Sequence, residues 1–481
     1  MKYLKRALLF LLFVIIAVAG VILVRTLTFS SRQRSVKPNP APQIDQASIK
    51  NFTSAIAFRT VSYSDSSLFD STQFLGFRRF LEKTYPLVHT QLDRTIVKDY
   101  TLVYRWQGED PQLPPVVLMA HQDVVPVEEA TRSIWTVDPF EGVVKDNYIW
   151  GRGATDDKIN LISILESSEK LLSTGFTPKR TIYLVFGHDE EIGGAGAQAV
   201  AEWFRKDGIR PELVLDEGGI VTREKVPGLD RTVALIGTSE KGILTLQLKV
   251  EKGGGHSAMP ERETAIDILA RAITTLNDNE FEARFSPSTE SFMECVGPEM
   301  PFGKRIAFAN LWLFKPVIYG IYEKSAPGNA MIRTTMVPTI LRGGVKENVV
   351  PTFAAATVNL RLLPGDSSGT ILRRIRNLVN DDRVQVELLD AREASGVTPM
   401  ESFAYQTVDR IVRQTYDSVV ATPFLMIGAT DSRHFTDVSG GIIKFSPMVD
   451  PIGFHGIDER VSMESFRESM WFFEQLMRDL K

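Results

Sequence analysis

Cysteine is almost missing from this sequence of 481 residues, which contains Cys295 alone. A single cysteine excludes an intrachain disulfide and any metal site built from thiolates. Basic residues are not in excess, because 55 Lys and Arg stand against 59 Asp and Glu and the net charge is −4. No run of Lys and Arg interleaved with aromatic residues occurs, so nucleic acid is not an expected partner.

Long apolar runs are also missing, except at residues 7–24, which are 18 uncharged apolar residues. This length is just enough to span a bilayer. Basic residues precede the run and favour a cytoplasmic N-terminus. The small residues at 17–19 leave a cleaved signal peptide as the alternative, but the apolar run continues past them and favours a membrane anchor. The body is then periplasmic or lumenal, or secreted if the segment is cleaved.

The chain is too long for one hydrophobic core, so two domains are expected. Between residues 114 and 216, apolar strands alternate with amphipathic helices, which predicts an α/β fold with a mainly parallel sheet covered by helices. After residue 241 the order becomes strand–helix–strand–strand–helix–strand, which predicts an inserted ferredoxin-like α+β domain. The predicted segments are the anchor or signal peptide 1–30, the Pro-rich spacer 31–47, the first domain in two parts 48–240 and 392–481, and the inserted domain 241–391.

Acidic residues and histidines follow three of the predicted strands. The motifs are HQD at 121–123, HDEE at 188–191 and DEGG at 216–219. Ligand sites in open α/β sheets lie outside the carboxyl ends of strands, so we expect these motifs to meet at one edge of the sheet. Neighbouring carboxylates at a buried strand end repel each other and are costly to desolvate, and bound cations would relieve both costs.

Two further segments add side chains that bind metals. A Gly-rich turn at 150–157 supplies Asp156 and Asp157, and the segment GFHGIDER supplies His455. Two histidines with several carboxylates and no thiolate suit Zn²⁺, and also Mn²⁺ or Co²⁺. Two adjacent divalent ions would neutralise this cluster.

In this order, the motifs resemble those of the two-domain co-catalytic zinc exopeptidases, which include carboxypeptidase G, carnosinase and aminoacylase. The likeness covers roughly residues 48–480 and is greatest to the branch of Gly-Xaa carboxypeptidase and N-fatty-acyl-amino-acid synthase/hydrolase. LDEGG at 215–219, TSEKG at 238–242 and the long insertion at 310–335 carry it. The resemblance implies an exported enzyme with two Zn²⁺ per subunit. It would cleave the amide bond of N-acyl amino acids or short peptides that have a free C-terminal carboxylate.

The resemblance also implies roles for individual residues. Asp123 orients His121, and Glu190 is the general base. Glu217 is the alternative to Asp216 as a ligand. The implied metal ligands are His121, Asp156, Glu191, Asp216 and His455.

The inserted domain is implied to act as a lid that binds substrate. His256 would donate to the oxyanion, and in many relatives the equivalent histidine reaches across a dimer, so a homodimer formed through the lid is expected. Asn348 and Arg361 would hold the substrate carboxylate, which a planar guanidinium matches well. The alternative outside the enzymes is a catalytically inactive binding or scaffold protein. Such a protein usually lacks a metal ligand or the general base, and this sequence retains all of them. A dinuclear aminopeptidase, which recognises the α-amine of its substrate, is the other alternative. The lid residues favour recognition of a substrate carboxylate instead.

A connection of about fifty residues separates the lid's first helix from its second strand, far beyond ordinary loop length. Its aromatic segment 306–322 is predicted to wall an apolar channel for the acyl group, with Trp312 and Phe314 as the residues to test. The alternative is that it packs against the lid's own sheet or a partner subunit.

Overall fold

The computed structural model describes residues 2–480. Its helices are α1 (Lys2–Thr28), α2 (Gln46–Ile56), α3 (Ser71–Thr84), α4 (Pro86–Gln91), α5 (Glu129–Arg132), α6 (Lys158–Ser173), α7 (Ala195–Asp207), α8 (Ala265–Asn277), α9 (Pro287–Val296), α10 (Phe302–Ala309), α11 (Leu311–Tyr322), α12 (Ala326–Ile332), α13 (Ser368–Val379), α14 (Phe403–Thr415) and α15 (Met463–Asp479). Its strands are β1 (Asp93–Val97), β2 (Thr101–Trp106), β3 (Val116–His121), β4 (Val143–Lys145), β5 (Tyr148–Trp150), β6 (Ile182–Gly187), β7 (Leu213–Arg223), β8 (Thr232–Glu240), β9 (Gly242–Glu251), β10 (Gly255–His256), β11 (Thr335–Gly343), β12 (Val349–Val350), β13 (Phe353–Leu362), β14 (Val384–Arg392), β15 (Val420–Met426), β16 (Ile442–Val449) and β17 (Arg460–Ser462).

The main sheet has eight strands in the order β1-β2-β6-β3-β7-β16-β8-β15. The pairs β3–β6, β3–β7, β7–β16 and β8–β15 are parallel, whereas β1–β2 and β2–β6 are antiparallel. Every residue of β3 and β6 is buried. Because neighbouring residues of a strand point to opposite faces, Val117 and Leu118 lie in two different hydrophobic clusters. The α/β fold class is confirmed, with an antiparallel edge on the sheet.

A second sheet has four antiparallel strands in the order β11-β13-β9-β14. Helices α8 and α13 pack on it through a separate hydrophobic cluster that includes Leu246, Ile268 and Ile375. The chain order β9, α8, β11, β13, α13, β14 is the ferredoxin-like order expected from the sequence. β9 begins at Gly242 and β14 ends at Arg392, close to the predicted limits of the lid, which stay a prediction.

The long connection between α8 and β11 folds into the helices α9 to α12. They pack with β15, at the edge of the main sheet, through a cluster that includes Phe292, Ile318 and Val420. Cys295, on α9, is buried in this region. Within residues 2–480, α1 is the one helix that is long and apolar enough to cross a membrane.

Candidate active site

The predicted metal-binding residues and Glu190 meet near the carboxyl ends of β3 and β6, beside Asp216 and Glu217, which lie within β7. His121 is the last residue of β3, and Glu190 and Glu191 form a 3-10 turn directly after β6. Asp156 lies on the turn before α6, and His455 on the loop between β16 and β17. Parallel strands that end at one edge bring together residues far apart in sequence.

His121 is buried between carboxylates. Its Nε2 lies 2.9 Å from Asp156 Oδ1 and 3.4 Å from Glu217 Oε1. Its Nδ1 lies 2.9 Å from the carbonyl oxygen of Asp123 and 3.3 Å from Asp123 Oδ1. Burial alone lowers the pKa of His121, but the charge of Glu217 and the hydrogen bonds that Asp123 and Asp156 accept from the ring outweigh it and raise the pKa well above its usual value.

Asp156 lies between the two histidines, with one carboxylate oxygen facing each. His455 Nε2 is 2.6 Å from Asp156 Oδ2 and 3.2 Å from Glu191 Oε1. Hydrogen bonds to Asp156 and then Glu191 raise the pKa of the half-buried His455 to about 10. This arrangement places one carboxylate where it can bridge two cations.

Asp123 connects His121 with the acidic turn. Its buried carboxylate accepts hydrogen bonds from Ser62 Oγ at 2.6 Å, Glu190 N at 3.2 Å and Glu191 N at 3.1 Å. Asp123 therefore fixes the ring of His121 and the backbone of both glutamates. Sequence reasoning missed Ser62, which lies 61 residues earlier in the chain and is part of no motif.

The side chain of Glu190 is 10% exposed, and Arg433 Nη1 lies 3.7 Å from its Oε1. Burial, followed by the nearby charge of Asp431, raises the pKa of Glu190 well above its usual value. A carboxylate with a raised pKa is suited to take up and give back a proton near neutral pH. Arg433 is the second residue that sequence reasoning missed, since it lies in none of the predicted motifs.

Gly194, two residues after the acidic turn, is required by close packing. Gly194 has a φ of +68°, and a Cβ built there would lie 1.9 Å from Asp431 Oδ1. Only glycine fits a positive φ in so narrow a space. The turn can therefore lie directly against Asp431, whose charge acts on Glu190.

Asp216 and Glu217 point in different directions, as expected of neighbours on a strand. Asp216 Oδ2 accepts a hydrogen bond from Ser432 N at 2.7 Å, and Glu217 approaches His121. The structure thus brings Glu217 to the cluster and leaves Asp216 bonded to backbone. Buried Asp157 also lies near His121 and Glu217.

The three predicted lid residues lie apart from the cluster. His256 and Asn348 lie on neighbouring segments, where Ser257 N donates to Asn348 O at 3.2 Å, and both side chains are exposed. Arg361 is on β13, and burial followed by the charge of Arg392 lowers its pKa. Among residues 2–480, no hydrogen bond or ion pair joins these three side chains to the cluster, so their roles stay predictions.

The cluster fits divalent metal ions by the chemistry of its donors. Candidate sets whose ligand atoms lie within 4.8 Å of one another are His121 with Asp156 and Glu191, and His121 with Asp157 and Glu217. The buried Asp157 Oδ2 has no hydrogen-bond partner. Imidazole and carboxylate ligands at this spacing are those that Zn²⁺ takes.

An apolar cavity of about 610 Å³ lies beside the main sheet. Residues of β7, β8, β15 and the helices after α8 line it, among them Ile220, Leu235, Phe292, Phe308, Ile318 and Phe424. Ile220 follows Glu217 by three residues on β7, which is about 10 Å along the strand. The segment predicted to wall an apolar channel contributes several residues, but Trp312 and Phe314 do not line the cavity, and Trp312 is 54% exposed.

An α/β core with an inserted ferredoxin-like domain, and with two histidines among buried carboxylates at its strand ends, defines a metallohydrolase. Residues 117–479 match the family described as Peptidase family M20/M25/M40, and the chain belongs to this family. It is therefore an enzyme of the metallopeptidase and amidohydrolase type, as its motifs predict.

Two relatives support the predicted branch. The chain is 37% identical to a probable carboxypeptidase S-like 2 of Dictyostelium discoideum, over 97% of this chain and 92% of that protein. It is 36% identical to the N-fatty-acyl-amino acid synthase/hydrolase PM20D1 of Homo sapiens, over 88% of this chain and 86% of that protein.

Solved structures share the fold. An M20 family metallo-carboxypeptidase from Sulfolobus solfataricus superposes with a TM-score of 0.66 at 15% identity, over 90% of this chain and 99% of that chain. Human carnosine dipeptidase 1 gives a TM-score of 0.62 at 12% identity, over 92% and 99% of the two chains.

Proposed function

We propose that this chain is a dinuclear zinc hydrolase that cleaves the amide bond of N-acyl amino acids or short peptides with a free C-terminal carboxylate. The observation that carries the proposal is the carboxylate of Asp156 between His121 and His455, at 2.9 and 2.6 Å, with the side chain of Glu190, which is 10% exposed, in the same cluster. A shared carboxylate flanked by two imidazoles is the arrangement that two adjacent divalent ions require.

One metal position would be held by His121 and Glu217, and the other by Glu191 and His455, with Asp156 shared. Glu217 replaces Asp216 in this assignment, because it lies 3.4 Å from His121 Nε2 whereas Asp216 is bonded to backbone. Zn²⁺ is the proposed ion, and the same donors also accept Mn²⁺ or Co²⁺.

The reaction relies on proton transfer by Glu190. Bound zinc would supply Lewis acidity, which lowers the pKa of an attacking water and polarises the scissile carbonyl. Glu190 takes the proton of that water and delivers it to the leaving nitrogen. Arg433, 3.7 Å from its Oε1, keeps the carboxylate oriented between the two transfers.

The lid residues complete the site in this proposal. Arg361 and Asn348 bind the substrate carboxylate and His256 donates to the oxyanion. Because His256 is exposed and lies apart from the cluster, it acts after the lid moves or in the site of a second subunit of a homodimer.

The acyl group occupies the apolar cavity. Its volume of about 610 Å³ is typical of pockets that bury most of a small ligand. The relatives named for N-fatty-acyl amino acids support an acyl chain as its occupant.

Helix α1 is the membrane anchor in this proposal, and the catalytic body lies on the extracytoplasmic side. The run of 27 helical residues from Lys2 to Thr28 is apolar and exposed over most of its length, which suits lipid as its surroundings.

The test is a hydrolysis panel with metal analysis. Purified protein loaded with zinc is offered N-acyl amino acids, dipeptides and the same compounds with the carboxylate blocked as an amide. We expect two zinc ions per chain and cleavage of the free acids only. Equal cleavage of the blocked compounds would show that the enzyme does not recognise the substrate carboxylate. One zinc ion per chain would refute the dinuclear site.

A further inference from the structure

Helices α10 and α11 expose an apolar face. Its large side chains are 42% to 58% exposed; they are Phe302, Trp312, Leu313, Val317 and Ile321. Leu313, Val317 and Ile321 follow one another at intervals of four residues, so they form a stripe along one side of α11. We call these five residues the apolar face.

The apolar face lies next to the end of α1. Arg25 Nε donates to Ala309 O at 3.2 Å, and Asn310 Nδ2 donates to Ile22 O at 3.3 Å and to Thr26 Oγ1 at 3.2 Å. The start of α11 therefore contacts the last turns of the apolar run.

These contacts set the depth of α11 in a membrane that α1 crosses. The uncharged run ends at Val24, so Ile22 is within about 5 Å of its end at 1.5 Å per residue. Asn310 touches Ile22, so Trp312 lies at the boundary between headgroups and acyl chains. Tryptophan is enriched at that boundary.

The body cannot move away from this depth, because the segment after α1 is bound to it. Arg413 Nη1 donates to Gln33 Oε1 at 2.9 Å, and Gln33 Nε2 donates to Ala421 O at 3.3 Å. Asn39 N donates to Gln414 O at 2.7 Å. The segment predicted as an extended spacer instead lies along the body in these places.

Charge around the face also suits a lipid surface. Residues 302–332 contain four Lys or Arg and one Glu, whereas the whole chain has a net charge of −4. Basic residues near a bilayer are attracted by anionic headgroups.

The cavity reaches the same face. Val317 and Ile321 line the cavity and are also 57% and 58% exposed. Both residues therefore lie where the cavity meets the exposed side of α11.

We propose that the apolar face of α10 and α11 is embedded in the leaflet into which α1 emerges, and that the cavity opens onto the acyl chains of that leaflet. Long-chain N-acyl amino acids then enter from the bilayer with their acyl groups first. The proposal rests on the proposed function and on α1 as the anchor.

The test uses the full chain in lipid nanodiscs and one environment-sensitive fluorophore. Val317→Cys is labelled, with Val144→Cys as the matched control, since Val144 is 49% exposed on β4. The native Cys295 is buried and is shielded from the reagent. We expect blue-shifted emission at position 317 and quenching by spin-labelled lipids at least several-fold greater than at position 144. Equal, water-like emission at both positions would overturn the proposal. A blue shift without quenching by lipid would also overturn it, because the probe would then lie inside the cavity or against a second copy of the chain.

Entry from the bilayer has its own measurement. Leu313→Asp changes an exposed residue that does not line the cavity, and Val144→Asp is its control. We expect the first variant alone to slow hydrolysis of a long-chain substrate carried in the nanodisc several-fold, with a short soluble substrate unaffected. Unchanged long-chain turnover would overturn entry from the bilayer. If the parent protein hydrolyses neither substrate, the proposed function is refuted. The fluorescence measurement does not depend on hydrolysis and still tests whether the apolar face contacts lipid.

Discussion

Filling the apolar cavity should remove the preference for long acyl groups. Ala307 lines the cavity on α10, so Ala307→Phe places an aromatic ring in the space proposed for the chain. Each methylene buried there contributes about 0.8 kcal/mol, which is roughly a fourfold gain in kcat/KM. If the ring displaces four methylenes, the loss is about 3.2 kcal/mol, or roughly 200-fold for a long substrate.

The assay is kcat/KM across a series of N-acyl amino acids that share one amino acid and differ in acyl length. The parent enzyme should show a rise with length until the cavity is full, and Ala307→Phe should flatten it. Ala270→Phe is the control, because Ala270 is exposed on α8 outside the cavity. A slope that is the same in both variants would refute the cavity as the acyl site, and a flat series in the parent enzyme would favour a dipeptidase for small substrates.

Three further predictions concern the metal cluster. Glu190→Gln should lower kcat by about 10³-fold or more without loss of bound metal, because it removes a base and no ligand; turnover within tenfold of the parent would exclude that role. Glu217→Gln should lower the zinc content measured by mass spectrometry, whereas Asp216→Asn should retain more of it; the reverse order would restore Asp216 as the ligand. In the metal-free protein, the pKa of His455 is raised to about 10 by Asp156 and Glu191, so its bonds stabilise the fold fully below its unfolded pKa and are lost as the pH rises towards 10. Zinc binding must displace this proton from His455. Calorimetry of zinc binding near pH 7, in buffers of different ionisation enthalpy, should therefore show that His455→Ala releases about one proton fewer than the parent protein. An unchanged proton count would refute the link.

The carboxyl-end motifs could be predicted because each lies next to an apolar strand. HQD begins at the last residue of β3 and HDEE directly follows β6, and strands buried on both faces are visible in sequence as continuous apolar runs. Placing such motifs at one sheet edge needs only the rule for open α/β sheets.

The choice between Asp216 and Glu217 needed the structure. Adjacent residues of a strand face opposite ways, so the register of β7 decides which carboxylate meets His121, and the motif DEGG contains no information on that register. Ser62 and Arg433 could not be predicted for another reason. Each contacts the cluster from a segment that is distant in sequence, and a lone serine or arginine does not indicate which residue it will contact. From the sequence, helices α9 to α12 are predicted only as a long connection with one aromatic segment. The cavity between them and the sheet edge is lined by other residues of that segment than Trp312 and Phe314.

The single cysteine of the chain determines how the folded protein responds to thiol oxidants and reductants. Cys295 is buried, and burial raises its pKa to about 12, so very little of the reactive thiolate exists at physiological pH. The thiol of the folded protein is therefore no ready target for oxidation, and reduction has no disulfide to break. No cysteine chemistry of the folded protein therefore depends on whether its compartment is reducing or oxidising.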